Sequence, residues 1–152
     1  MKTKPSYLGL LNAISNGETQ AGRYFSAWLK VVRDPEARPV VQLVAIREAE
    51  HGLAFEKRIV ELGYSLIEKP NPEADKKQAY LSDPKKSDLD KLLFLGYGKK
   101  RDDPFGKFFD DHTIDPQTGA LMGRYLAEER DTIRRLYALT ESLKGKARKK
   151  AA

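Results

Sequence analysis

The sequence predicts an all-α fold: an antiparallel four-helix bundle with a long crossover between helices two and three and a broken third helix. Three observations carry this reading. Four segments place apolar residues three and four positions apart, strand-type alternation is nearly absent, and one long charged, proline-bearing stretch separates two halves.

The first segment spans about Ser6 to Val32. Its seam of Leu11, Ile14, Glu18, Ala21, Phe25, Trp28 and Val32 steps by 3, 4, 3, 4, 3 and 4, the pattern of a helix crossing its neighbours at a shallow angle. Arg33-Asp34-Pro35 stops it. The second begins near Pro35 or Pro39 and runs to about Leu62, with Val41, Val44, Glu48, His51, Phe55, Ile59 and Leu62 on its seam and Gly63 as its stop. The short connection makes these two an antiparallel hairpin. Ile67 to about Lys86, with Pro70, Pro72 and Pro84, reads as the crossover, pinned by Tyr80 and Leu81.

Asp88 to Tyr97 reads as the third helix, broken by the run from Gly98 to Pro104. A short helix from Pro104 to Asp111, capped by Asp103, would resume it. The fourth starts at the Asp115-Pro116 cap. Its seam is Met122, Tyr125, Glu129, Thr132 or Ile133, Leu136, Leu139 or Thr140, and Leu143, and Lys144-Gly145 ends it. One bundle domain over 1–145 and a basic, disordered tail over 146–152 follow.

A chain of 152 residues, 40% hydrophobic and 33% charged, has enough material for one soluble core. The absence of cysteine excludes disulfides, thiolate metal sites and a cysteine nucleophile. Lys144, Lys146, Arg148, Lys149 and Lys150 supply five of the charges behind the net +6, so the excess sits in the tail and argues against a nucleic-acid partner. Met1-Lys2-Thr3-Lys4-Pro5 is basic, but the apolar run from Tyr7 to Ile14 is too short for a secretory signal. No stretch approaches the ~20 residues of a membrane span, so a cytoplasmic protein without membrane contact is expected.

Function is legible in three glutamates on the wrong face. Glu18, Glu48 and Glu129 each hold a seam position with apolar neighbours one turn away. An unpartnered buried carboxylate costs several kcal/mol, so something must compensate it. Counting at 1.5 Å per residue puts all three roughly 20 Å from one end of an antiparallel bundle. Glu48-x-x-His51 turns an imidazole the same way as Glu48. Oxygen ligands with one imidazole suit iron or manganese, and also zinc. The competing reading is a metal-free buried polar network.

Glu18 followed by Glu48-x-x-His51 resembles the first half of the ferritin and rubrerythrin superfamily of di-iron carboxylate bundles. That resemblance implies a ferritin-like fold over nearly the whole chain, iron as cofactor (mono- or dinuclear), and ferroxidase or peroxidase chemistry toward oxygen or peroxide. It implies Glu18, Glu48, His51 and Glu129 as ligands. The second half departs from the family pattern, because Thr132 stands where a histidine would follow Glu129. Glu128-x-x-Asp131 is a lower-ranked pair. Residues 95–100 offer no carboxylate, leaving Asp102 or Asp103 to substitute, with Asp90 more remote.

Tyr24, Tyr97 and Tyr125 are either core-edge aromatics or donors to the site, and Tyr125 can reach Glu129. His112 reads as a loop residue, and Arg47, Lys57, Arg58, Arg130, Arg134 and Arg135 read as solvated surface. Three functions compete: an iron-dependent redox protein, a non-catalytic bundle with a degenerate site that serves binding or homodimer assembly, and a cage-forming mini-ferritin with its tail on DNA.

Overall fold

A computed structural model describes residues 3–152; Met1 and Lys2 of the basic start lie outside it. Five helices form: α1 (Leu8–Leu29), α2 (Ala37–Glu61), α3 (Pro72–Ser82), α4 (Asp88–Phe94) and α5 (Pro116–Ala151), with no strand among the described residues. No helix there is long and apolar enough to cross a membrane.

The hairpin of α1 and α2 is the frame. Its register is set by close backbone approach: a Cβ on Gly22 would lie 3.0 Å from the Ala49 nitrogen, and one on Gly52 would lie 2.9 Å from the Thr19 nitrogen. Ser15 Oγ donates to the Gly52 carbonyl at 2.8 Å across the same contact. α2 ends where Gly63 takes φ 89, the left-handed conformation in which a side chain is disfavoured.

The crossover contains a helix of its own, which the proline-rich reading did not anticipate. Asn71 caps α3 by accepting from Glu73 N at 3.1 Å, with Pro72 at the first helical position. Asn12 grips Ile67 through both amide atoms, at 3.0 and 2.8 Å, and Asn16 accepts from Lys69 N at 3.0 Å. The strap is thereby tied along α1.

The third bundle position departs most from expectation. α4 has only seven residues, opened by a Ser87–Asp90 capping box and closed by Gly96 at φ 91. Residues 104–109 form turns instead of a resumed helix, and Asp103 accepts from Phe105 N at 3.0 Å. What α4 does is brace the hairpin loop. Asp88 accepts from Trp28 Nε1 at 2.8 Å and from the amides of Arg33 and Asp34 at 3.1 and 2.8 Å.

α5 begins at the expected cap, with Asp115 accepting from Thr118 N at 3.0 Å, but it does not end at Gly145. It continues to Ala151, and Lys146 reaches back to Asp34 and Glu36 at 3.1 and 3.0 Å. Arg58 also differs from the surface reading. It is buried and donates to Thr118, Glu61 and Asp115 at 2.8–2.9 Å, while Tyr7 OH donates to the same Asp115.

Apolar side chains gather into two clusters. One holds Phe25, Trp28, Val41, Val44, Leu92, Leu136 and Leu139; the other holds Leu11, Ile14, Phe55, Ile59, Met122 and Leu126. On α1, α2 and α5 alike, the residues between the clusters are polar: Ser15 and Glu18, Glu48 and His51, Glu129 and Thr132.

Two substitutions test this packing. Gly52→Ala is expected to destabilise by about 1–3 kcal/mol, because the new methyl meets the α1 backbone. Gly145→Ala, in open space inside α5, is expected to stabilise by roughly 0.5–1 kcal/mol. Urea unfolding midpoints check both; an unchanged Gly52→Ala midpoint or a loss at Gly145 contradicts the arrangement.

Candidate metal centre

Each seam glutamate arrives at the centre for a local reason. Helical spacing that buries Ile14 and Ala21 must also turn Glu18 inward, and likewise Glu48 between Val44 and His51, and Glu129 between Leu126 and Leu136. Glu18, Glu48 and His51 are 8%, 5% and 5% exposed. One ligand-type atom from each of Glu18, Glu48, His51 and Glu129 lies within 4.8 Å of the others. All four residues named from the sequence therefore converge.

His51 Nδ1 stands 3.6 Å from Glu18 Oε2 and 3.5 Å from Glu129 Oε1. These three atoms are buried, and none has a hydrogen-bond partner among the described residues. Such atoms are rare because each forfeits its hydration; here the two oxygens face the imidazole nitrogen only at loose ion-pair distance, and one shared ion would satisfy all three. A divalent ion is a partner of the right charge for two oxygens and a nitrogen, and the donor set fits.

The neighbours hold this arrangement. Tyr125 OH donates to Glu18 Oε1 at 2.7 Å, leaving Oε2 toward the centre, and the Tyr125 ring meets the His51 ring edge-on at 5.0 Å. The expected Tyr125–Glu129 bond is not formed; a side chain crossing between helices reaches α1 more directly than its own next turn. On the far side His51 Nε2 faces Glu128 Oε2 at 3.3 Å, and Arg124 Nε donates to Glu128 Oε1 at 3.2 Å. Glu128 is thus the orienting group of the imidazole, a role the sequence reading did not assign. Its signal was only its place one residue off the seam.

The other candidates fall elsewhere. Asp131 binds Arg47 at 2.8 Å and Arg135 at 2.7 Å, which holds its carboxyl down at about 2. Thr132 is buried and accepts from Arg47 Nη1 at 3.2 Å. Asp103 pairs with Arg130 at 2.7 Å, Asp90 serves the α4 cap, and exposed Asp102 and His112 lie outside the group. No carboxylate comes from the third position. Tyr97 lines the cleft there instead, with Tyr24, Lys77 and Thr132, and this cleft of ≈ 280 Å³ leads to Glu18, Glu48 and Glu129.

Electrostatics show how the chain manages this layer with protons. Burial pushes the Glu48 carboxyl well above the usual range, and Glu18 and Glu129 push it the same way. Burial also raises Glu18, but contacts with His51, Glu48 and Tyr125 outweigh it and leave Glu18 below its ordinary value. Burial lowers His51, yet Glu129, Glu18 and Glu128 overcome it and carry the imidazole to about 10. At neutral pH His51 keeps its proton, and Glu48 holds its own to higher pH than an ordinary carboxyl does. Tyr125, Tyr24 and Tyr97 are raised first by burial and then by the carboxylates, so all three stay protonated.

No protein-family model, curated protein or solved structure matches the chain.

The raised groups fix the sign of a pH effect. His51 contributes stability that is full below its ordinary 6.5 and is lost as pH rises through about 10. Glu48, raised above its ordinary 4.5, acts in the same sense; the lowered Glu18 and Glu128 oppose it only in acid. The EDTA-treated protein is therefore expected to melt at progressively lower temperature from pH 6.5 to 10, and His51→Gln to flatten that slope. Thermal unfolding followed by circular dichroism reads it, and a melting temperature that climbs across the window contradicts the assignment.

Proposed function

We propose that the chain is a metal-binding protein of the ferritin-like, rubrerythrin type, with iron held by Glu18, Glu48, His51 and Glu129 and manganese or zinc as alternative occupants. The observation that carries the reading is the meeting of three buried ligand atoms, Glu18 Oε2, His51 Nδ1 and Glu129 Oε1, none of which makes a hydrogen bond. Hard oxygen donors with one imidazole favour iron or manganese over softer ions. The cleft beside Tyr97 and Lys77 supplies the path of entry.

Bound iron would supply redox chemistry toward oxygen or peroxide, of the ferroxidase or peroxidase class. The protein's part is orientation and exclusion. Glu128 fixes which imidazole nitrogen faces the centre, Tyr125 fixes which Glu18 oxygen does, and the apolar clusters on either side keep bulk water out. Loading an ion would displace the proton of His51, because the nitrogen that faces the centre must be bare to bind it.

A second reading has one observation behind it. Thr132 and Tyr97 stand where a second half-site would need ligands, so a bundle that keeps its polar layer protonated and serves only binding or homodimer assembly is the alternative.

Metal content after purification from iron-supplemented cells separates the two. About one ion per chain is expected, lost in Glu48→Ala and in His51→Ala, with protons released on loading at pH 7, read in buffers of differing ionisation heat. A metal-free protein that stays inactive after iron reconstitution supports the second reading, and full retention of iron by both variants refutes the first. Glu128→Gln is expected to weaken metal affinity about 10–100-fold, and Glu61→Gln, remote from the layer, to leave it unchanged. Equal affinities in a competition titration against a chelator contradict the orienting role.

A further inference from the structure

A second cavity, of ≈ 400 Å³, lies between the segment after α4 and the middle of α5. Its walls are apolar or aromatic: Leu95, Tyr97, Pro104, Ile133 and Tyr137. Its rim is cationic. Lys100 and Arg101 take part in none of the ion pairs found among the described residues, whereas Arg130 is held by Asp103 at 3.0 and 2.7 Å and Arg134 reaches Asp131 only at 3.3 Å. With Asp102, the lining carries four cations against two carboxylates.

The backbone makes room for one of those cations. Gly96 has φ 91, and a methyl group there would overlap the Arg101 guanidinium. Tyr137 OH donates to the Lys99 carbonyl at 2.5 Å and anchors the rim to α5. The Tyr97 and Tyr137 rings meet edge-on at 5.3 Å, a wall suited to a flat apolar body. Tyr97 lines both this cavity and the cleft that leads to Glu48 and Glu129.

We propose that this cavity binds a small organic acid with a flat apolar body. Its carboxylate sits at Lys100 and Arg101, and its body lies against Tyr97, Ile133 and Tyr137. The planar guanidinium offers paired donors to a carboxylate, and the lysine adds a point charge. Tyr97 then separates the bound acid from the metal layer by one side chain. A role for the acid as a substrate of that layer rests on the metal reading above, but its binding does not.

The test uses EDTA-treated protein, so that it stands whether or not iron binds. Isothermal titration with 2-naphthoate, with neutral 2-naphthamide as its partner, reads the site. One molecule per chain with a dissociation constant below about 1 mM is expected, weakened about 10-fold or more in Lys100→Ala/Arg101→Ala and for the amide. Lys30→Ala, in a different surface groove, is expected to bind as the unaltered protein does. Both rim residues are exposed, so the double variant should fold, and its melting temperature verifies that. Absence of binding below about 1 mM overturns the proposal, as does equal binding of acid and amide or of variant and unaltered protein.

Discussion

A layer of ionisable groups lies between two apolar clusters, and the remaining architecture answers to it. Burying a carboxylate without compensation costs several kcal/mol, against a typical domain stability of about 5–15 kcal/mol. Three such groups and an imidazole are tolerable only if helices deliver them to one level and one another's reach. The glycine contacts between α1 and α2 set that level, because a hairpin locked at Gly22–Ala49 and Gly52–Thr19 has little freedom to slide. α5, braced by Arg58 at one end and Lys146 at the other, brings Glu129 to the same height.

Protons and a divalent ion are alternative solutions to the same burial problem. The layer lowers its charge through the His51 proton and through the raised Glu48 carboxyl, and an incoming ion would have to displace the His51 proton. Glu128 and Tyr125 hold His51 and Glu18 from the side away from the centre. The ligand atoms are thus oriented without an ion, which would reduce the reorganisation that binding one requires.

Much of this was readable in the residue order. Periodicity on α1, α2 and α5 marked the buried face, and every seam residue predicted for α1 from Leu11 to Val32 is buried. A glutamate on such a face announces itself by breaking the apolar run, and helical rise alone aligned three of them. The reading weakened wherever tertiary contacts outrank local pattern. α3 had a local signal in the Asn71-Pro72 cap, but the strap before it is placed by Asn12 and Asn16, whose partners Ile67 and Lys69 lie more than 50 residues away in sequence. α5 runs through Gly145 because ion pairs to Asp34 and Glu36 hold the extra turns, so a weak helix former did not act as a stop. Arg58 looked like surface because its partners, Asp115 and Thr118, come from the far end of the chain. The ferritin-like topology itself has no support from the third position, where a seven-residue helix and a run of turns replace the long helix that the resemblance implies.

A metal function requires His51 Nδ1 and the oxygens of Glu18, Glu48 and Glu129 to share one ion. X-ray absorption at the iron edge of the loaded protein measures that directly. It should report a first shell of oxygens with one imidazole nitrogen, and lose the imidazole scattering in His51→Ala. A shell of oxygen alone, or one that survives the loss of His51 unchanged, would place the ion elsewhere and leave the polar layer a proton-sharing network.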